Sequence, residues 1–201
     1  MIIYVKRYPN ETEYSRIVAK MRQHHSYLSI IASIDSSGGS HPETLYDLAS
    51  KTNGVCAFDY SMDLPYDLFY DENVVYPYLI YAANPQVSGK GSIQLSPLLI
   101  PKSEYYWFTM MQDTAPITGE QTLMLIWYND NEQWQMGSNG TYHCGELFQS
   151  AGNHLADREY LSTDSYNVRL VFNYPDSEIR TVQIRVNQPD YAINYWIPYD
   201  N

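Results

Sequence analysis

Short apolar runs and helix-period stripes alternate along the first sixty positions. Ile2-Ile3-Tyr4-Val5 is continuously apolar, the pattern of a strand buried on both faces. Tyr14, Ile17, Val18 and Met21 then recur at i, i+3, i+4 and i+7, which is one apolar stripe of a helix. Asn10 is placed to cap it, with Glu13 three residues on. "SYLSIIASI" (26–34) is β-branched and reads as a second strand. Ser40-His41-Pro42-Glu43 opens a second helix: Ser40 caps, Pro42 suits the first turn, and Leu45, Leu48 and Ala49 form the inner face. Gly54 follows the helix end, and "VCAF" is a third strand. Strands linked by helices run parallel with right-handed crossovers. Residues 1–58 therefore predict a β-α-β-α-β unit, half of a doubly wound sheet with both helices on one face. Its other face needs cover from elsewhere.

The period changes to two from Tyr78 onward. Strands are expected at "YLIYAA" (78–83), "GSIQL" (91–95), "YYWFTMM" (105–111), "TLMLIWY" (122–128), "YNVRLVFNY" (166–174) and "TVQIRV" (181–186). Val168, Leu170 and Phe172 alternate with Arg169, Val171 and Asn173, as on a half-buried antiparallel sheet. Residues 78–201 thus predict a β-sandwich, with an immunoglobulin-like arrangement as the expectation. The stretch from Leu161 to Tyr166 is reminiscent of a tyrosine corner. Between the two parts, residues 59–77 read as an acidic connector with a short helix near 65–70. Asp59, Asp63, Asp67, Asp71 and Glu72 lie there, but not at the spacing of a Ca²⁺ loop.

Charge sharpens this boundary. Of the 201 residues, those up to 59 hold six basic and six acidic side chains, and those from 60 hold six and seventeen. All of the net charge of −11 therefore falls on the second part. Such a surface repels nucleic acid and anionic membranes. No apolar run approaches the roughly 20 residues of a membrane helix. Cys56 and Cys144 make neither a disulfide framework nor a zinc site; they read as buried thiols or as one bridging pair. The opening "MIIYVKRYPN" has too short an apolar stretch for a signal peptide. Yet Asn10-Glu11-Thr12 and Asn139-Gly140-Thr141 are glycosylation acceptor patterns, which belong to secreted chains.

With "YLSIIAS", a glycine-containing gap, and "LYDLASKTNG" before a last strand, the first 58 residues resemble the C-terminal half of a von Willebrand factor A (VWA) domain. Together with "SGGSHPET", "CAF" and the β-rich part, the chain also resembles nematode secreted proteins in which a VWA domain precedes a domain of unknown function. The resemblance implies an extracellular protein and a sheet ordered 3-2-1-4-5-6, of which this chain would hold the adjacent strands 4-5-6. Ile2–Val5 would then be an open edge, prone to self-association. It also bears on Asp35-Ser36-Ser37-Gly38-Gly39. A VWA metal site uses D-x-S-x-S after its first strand, whereas here Gly39 replaces the second serine of that pattern and the loop follows what resembles the fifth strand. The expectation is a glycine turn, with no metal and no cofactor.

Catalysis finds little footing. His143-Cys144 with Glu146, His154 and Asp157 is the densest group of reactive side chains. Neighbours on a strand point to opposite faces, so His143 is badly placed to activate Cys144. No nucleophile elbow, metalloprotease, P-loop or dinucleotide fingerprint occurs. His24 and His25 suit the C-terminal end of a helix as favourable charge. The 21 Tyr and 4 Trp offer large rigid contact area with polar tips. The expected function is a non-enzymatic extracellular interaction protein, whose sandwich binds a protein or a glycan. The alternative is a metal-dependent adhesion module or an enzyme whose essential strand lies upstream of Met1.

Overall fold

Three parallel strands and two helices build the N-terminal unit. They are β1 (Ile2–Val5), α1 (Ser15–Gln23), β2 (Ser29–Ser33), α2 (Pro42–Lys51) and β3 (Cys56–Asp59), with the strands in the order β1-β2-β3. The computed structural model describes residues 1–59, 75–112, 122–131, 133–139, 154–189 and 199. Alternate strand residues Ile3, Val5, Ile30, Ala32, Cys56 and Phe58 share one apolar cluster with Val18, Met21, Leu45, Leu48 and Ala49. Both helices therefore cover the same face, as successive right-handed crossovers in one direction require.

Local details depart from the sequence pattern. Strand β1 is an edge and not a strand buried on both faces: Tyr4 is 60% exposed. Helix α1 starts later than expected, with Tyr14 rather than Asn10 at its cap position. The Glu13 carboxylate instead accepts the Ser15 backbone N–H at 2.8 Å. Ile17 is solvent-exposed, so the inward stripe is only Tyr14, Val18 and Met21. His41, not Ser40, precedes α2, while the Ser40 backbone N–H donates to the Pro9 carbonyl. At the far end of α2 the left-handed residue is Asn53, with φ 55°. Gly54 is required for another reason. A Cβ there would lie 1.9 Å from the Leu28 carbonyl oxygen, so only glycine lets the turn press onto the chain entering β2.

The second unit contains β4 (Tyr78–Ala83), β5 (Gln86–Val87), β6 (Lys90–Leu99), β7 (Glu104–Gln112), β8 (Thr122–Tyr128), β9 (Gln133–Asn139), β10 (His154–Leu161), β11 (Ser165–Asn173) and β12 (Arg180–Gln188). One sheet runs β10-β7-β12-β4, with β5 pairing to β12, and the other runs β6-β11-β8-β9. Leaving out the two-residue β5, the strands taken in chain order read 1-8-3-6 and 2-7-4-5. All of these pairings are antiparallel. That is a double Greek-key jelly roll, which corrects the immunoglobulin-like expectation. Period-two alternation tells which face of a strand is buried, but not which sheet it joins.

Between the sheets lies a continuous core that includes Tyr81, Leu98, Phe108, Met110, Leu125, Trp127, Leu170 and Ile184. Phe108 and Trp127 stack across it with centroids 4.1 Å apart. The tyrosine-corner expectation for Leu161–Tyr166 is met, and Tyr106 makes a second bond of the same kind. The Tyr166 hydroxyl donates to the Ser162 carbonyl at 3.2 Å, and Tyr106 does the same to Lys102 at 2.6 Å. Each pins the chain as it enters a strand.

The jelly roll also supplies the missing cover for the parallel sheet. Ile31, Val55 and Met111 form a buried cluster, joined by Ile2, Ala57, Trp107 and Ala156. So the outer face of β10-β7-β12 packs on the face of β1-β2-β3 opposite the helices. Polar groups lock the seam. The Cys56 N–H donates to Gln183 Oε1 at 2.9 Å, and Gln183 Nε2 donates to Ser50 Oγ at 2.8 Å. From α2, the Tyr46 hydroxyl reaches the Met111 and Thr181 carbonyls at 3.1 and 3.2 Å.

Candidate functional site

The parallel sheet roofs only part of the face it covers. Along β7 the outward residues are Met111, Thr109, Trp107 and Tyr105, and along β10 they include Ala156, Arg158 and Tyr160. Met111 and Thr109 are buried, and Trp107 is capped by Tyr76, stacked at 5.9 Å. Past Trp107 the roof ends. Tyr105 and Tyr160, directly opposite each other in the ladder, are each 49% exposed. Their rings meet edge-on, 5.3 Å apart at 74°. The Arg158 guanidinium lies against the Tyr105 ring, its carbon 4.9 Å from the centroid. The intervening Tyr106 is fully buried, which fixes this stretch of β7 from below. The result is a ledge of two aromatic rings and one cation on two paired strands.

Acidic residues alternate with the ledge residues along both strands and so face the other side of the sheet. The Glu104 carboxylate pairs with Lys102 Nζ at 2.9 Å. On β10, partial burial, helped by the charge of Asp157, raises the carboxyl pKa of Glu159 above the usual carboxylate range. Half-exposed aromatic rings with polar tips, held on a sheet, suit binding by stacking and hydrogen bonding. They carry no nucleophile and no paired acid and base. Among the described residues, no cluster of three metal-ligating side chains occurs.

The residues singled out in the sequence lie elsewhere. In the Asp35–Gly39 loop, Ser36 Oγ donates to the Gly38 carbonyl at 2.8 Å, and both Ser37 N–H and Oγ donate to the Lys6 carbonyl. Gly38 and Gly39 have φ of 136° and 87°, and a Cβ on Gly39 would meet the Tyr8 carbonyl at 2.0 Å. Ser37 thus ties the loop after β2 to the loop after β1, while Ser36 braces the turn itself. Cys56 is a free, buried thiol whose pKa is pushed up by that burial. Cys144, His143 and Glu146 lie outside the described residues, as do most of the acidic connector and the short helix near 65–70. Asp157 is exposed and accepts the Arg158 N–H, while of His154 only the backbone, in β10, is described. Asn10 is exposed. Asn139 ends β9 opposite Thr122, with its side chain outside the described residues. His24 and His25 sit exposed at the end of α1.

A groove of about 420 Å³ runs along α1, lined by residues that include Glu13, Tyr14, Arg22 and Lys51. Its polar groups are engaged with one another: Lys51 Nζ donates to the Tyr14 hydroxyl at 2.7 Å, and Tyr14 donates to Asp47 at 2.8 Å. The ledge residues Tyr105, Arg158 and Tyr160 were not legible as a site. Their one signal is that "YYWFTMM" is apolar on both faces, the mark of a strand covered on its outer side as well.

Residues 83–189 match the family described as a domain of unknown function (DUF7154), a span from the end of β4 to just past β12. No curated protein matches the chain. Solved structures of low similarity include a carbohydrate-binding module from Cellvibrio mixtus lichenase 5A in complex with cellotriose. It is 11% identical, with 58% of this chain and 93% of that one covered and a TM-score of 0.34. Another is the PRD1 vertex protein P5, 13% identical, with 56% and 94% covered and a TM-score of 0.37. A third is the capsid of Helicobacter pylori bacteriophage KHP30, 13% identical, with 60% and 97% covered and a TM-score of 0.35.

Proposed function

The chain belongs to the DUF7154 family, which names no activity, and we propose that it is a non-enzymatic binding module that takes a glycan on Tyr105, Arg158 and Tyr160. The observation that carries this reading is the ledge itself: two half-exposed rings from paired strands, with a guanidinium against one of them. Ring faces take the C–H faces of a sugar, and the tyrosine hydroxyls and Arg158 reach its hydroxyl groups. Because the rings stand on a packed sheet, little side-chain order is lost on binding. A glycan array probed with the full chain tests it. Wild type is expected to bind a subset of oligosaccharides, and Tyr105→Ala and Tyr160→Ala to lose that binding while keeping the far-UV spectrum. No binding by wild type, or undiminished binding by both folded variants, would overturn the proposal.

The same reading places the chain outside the cell. It is supported by the VWA resemblance of residues 1–58 and by the exposure of Asn10 within its acceptor pattern. Expression of the chain behind a secretory leader, followed by amidase digestion, is expected to show a mass shift at Asn10. An unmodified Asn10 would count against this compartment.

A further inference from the structure

Strand β1, like the edge strands β4 and β9, carries no charge and no proline, in contrast to two other edges of this molecule. Edge strand β10 carries Asp157, Arg158 and Glu159 in its middle, and edge strand β6 carries Lys90 and Pro97. Charges and proline of that kind discourage pairing with another chain. Between Ile2 and Val5 there is neither. The ladder with β2 shows which groups are left over. Ser29 N–H donates to the Met1 carbonyl, and the pairing is Ile2 with Ser29 and Tyr4 with Ile31. In a parallel ladder this turns the peptide groups of Ile3 and the N–H of Val5 toward β2. Those of Ile2 and Tyr4 point outward, along the edge with which no described strand pairs. Met1 and Tyr4, 61% and 60% exposed, flank them.

We infer that β1 is the contact edge of a two-fold dimer, in which β1 of a second copy pairs antiparallel with it. Ile2 and Tyr4 stand symmetrically about Ile3, so the edge is complementary to itself under a two-fold axis. Centred on Ile3, the pairing sets Ile2 against Tyr4 of the second copy and Met1 against Val5 of the second copy. Ile2 and Tyr4 then exchange both of their outward hydrogen bonds in each direction, making four in all and a continuous six-stranded sheet. Tyr4 comes to lie beside Ile2 of the second copy on one face, which removes exposed aromatic surface from water. The proposal does not depend on the glycan ledge.

Sedimentation velocity on the full chain at tens of micromolar tests it, since exposed edges associate at μM–mM concentrations. Wild type is expected to sediment with a dimeric fraction that grows with concentration. Tyr4→Pro removes an outward N–H but none that bonds β2, so it should weaken association roughly tenfold or more. Tyr4→Phe should associate like wild type. Should Tyr4→Pro fail to fold, Tyr4→Lys places a charge at the same exposed position and is expected to act likewise. A monomeric wild type at these concentrations, or a dimer unaffected by both the Pro and the Lys variant, would overturn the inference.

Discussion

Arg185 Nη2 lies 2.6 Å from the carbonyl oxygen of Gly54, across the seam between the jelly roll and the parallel sheet. The same guanidinium donates to the Asn53 carbonyl at 2.9 Å, to Ala83 at 3.0 Å and to Asn84 Oδ1 at 2.8 Å. Its side chain is fully buried. A buried guanidinium is tolerated only when its five N–H groups are engaged, and here carbonyls of both units help to engage them. The two units are therefore joined by directional bonds as well as by apolar packing.

Arg185→Lys keeps the charge but not the planar fork, and Arg185→Met keeps neither. Each leaves buried carbonyls at Asn53 and Gly54 short of donors. Urea unfolding of the full chain is expected to show a loss of roughly 2–4 kcal/mol for both. A change within experimental error would mean that the seam does not depend on these bonds.

Glycines at two turns should answer alanine differently. At Gly54 the added Cβ meets backbone at 1.9 Å, so the chain entering β2 must move; Gly54→Ala is expected to cost more than about 3 kcal/mol or to prevent folding. At Gly89, φ is 60° and the nearest atom to such a Cβ is 3.8 Å away. Only backbone strain remains there, and Gly89→Ala should cost about 1 kcal/mol. Equal losses in thermal unfolding would contradict the close contact at Gly54.

The Asp176–Arg180 pair predicts a pH dependence. Asp176 Oδ1 and Oδ2 accept from Arg180 at 2.6 and 2.9 Å, which holds the carboxyl below the usual range. A depressed carboxylate contributes stability above its unfolded pKa of about 3.9. That contribution is lost as pH falls through the folded value. The stability gap between wild type and Asp176→Asn should therefore be full at pH 6 and shrink below pH 4, both rough settings around that unfolded pKa. A gap that stays constant across this range would assign the effect to packing.

What could be read in the chain followed from short-range pattern. Strands β4 and β8 fall on the expected residues, because alternation and flanking turns are local signals. The jelly-roll order was beyond reach, since it depends on pairings such as Arg185 with Thr109 that are far apart in sequence. In β12, Gln183 and Arg185 alternate with Val182 and Ile184 and read as a solvated face. They are buried instead, because a second layer brings its own carbonyls and amides to meet them. The same layer explains the ledge. Tyr105 reads like any sandwich tyrosine, and only the position of the roof leaves it half exposed. Ile3, a natural choice for disrupting the β1 edge, packs toward the helices, so Ile3→Lys would damage the core; Tyr4 is the informative position.

The central claim is that ligand sits on Tyr105, Arg158 and Tyr160. Its most direct test is a chemical-shift titration of isotopically labelled full chain with the oligosaccharide that binds best on the array. The account predicts the largest shifts at those three residues and at their strand neighbours Glu104, Tyr106 and Glu159. Largest shifts on the far sheet, around Gln94 and Arg169 where β6 and β11 pair, would contradict it.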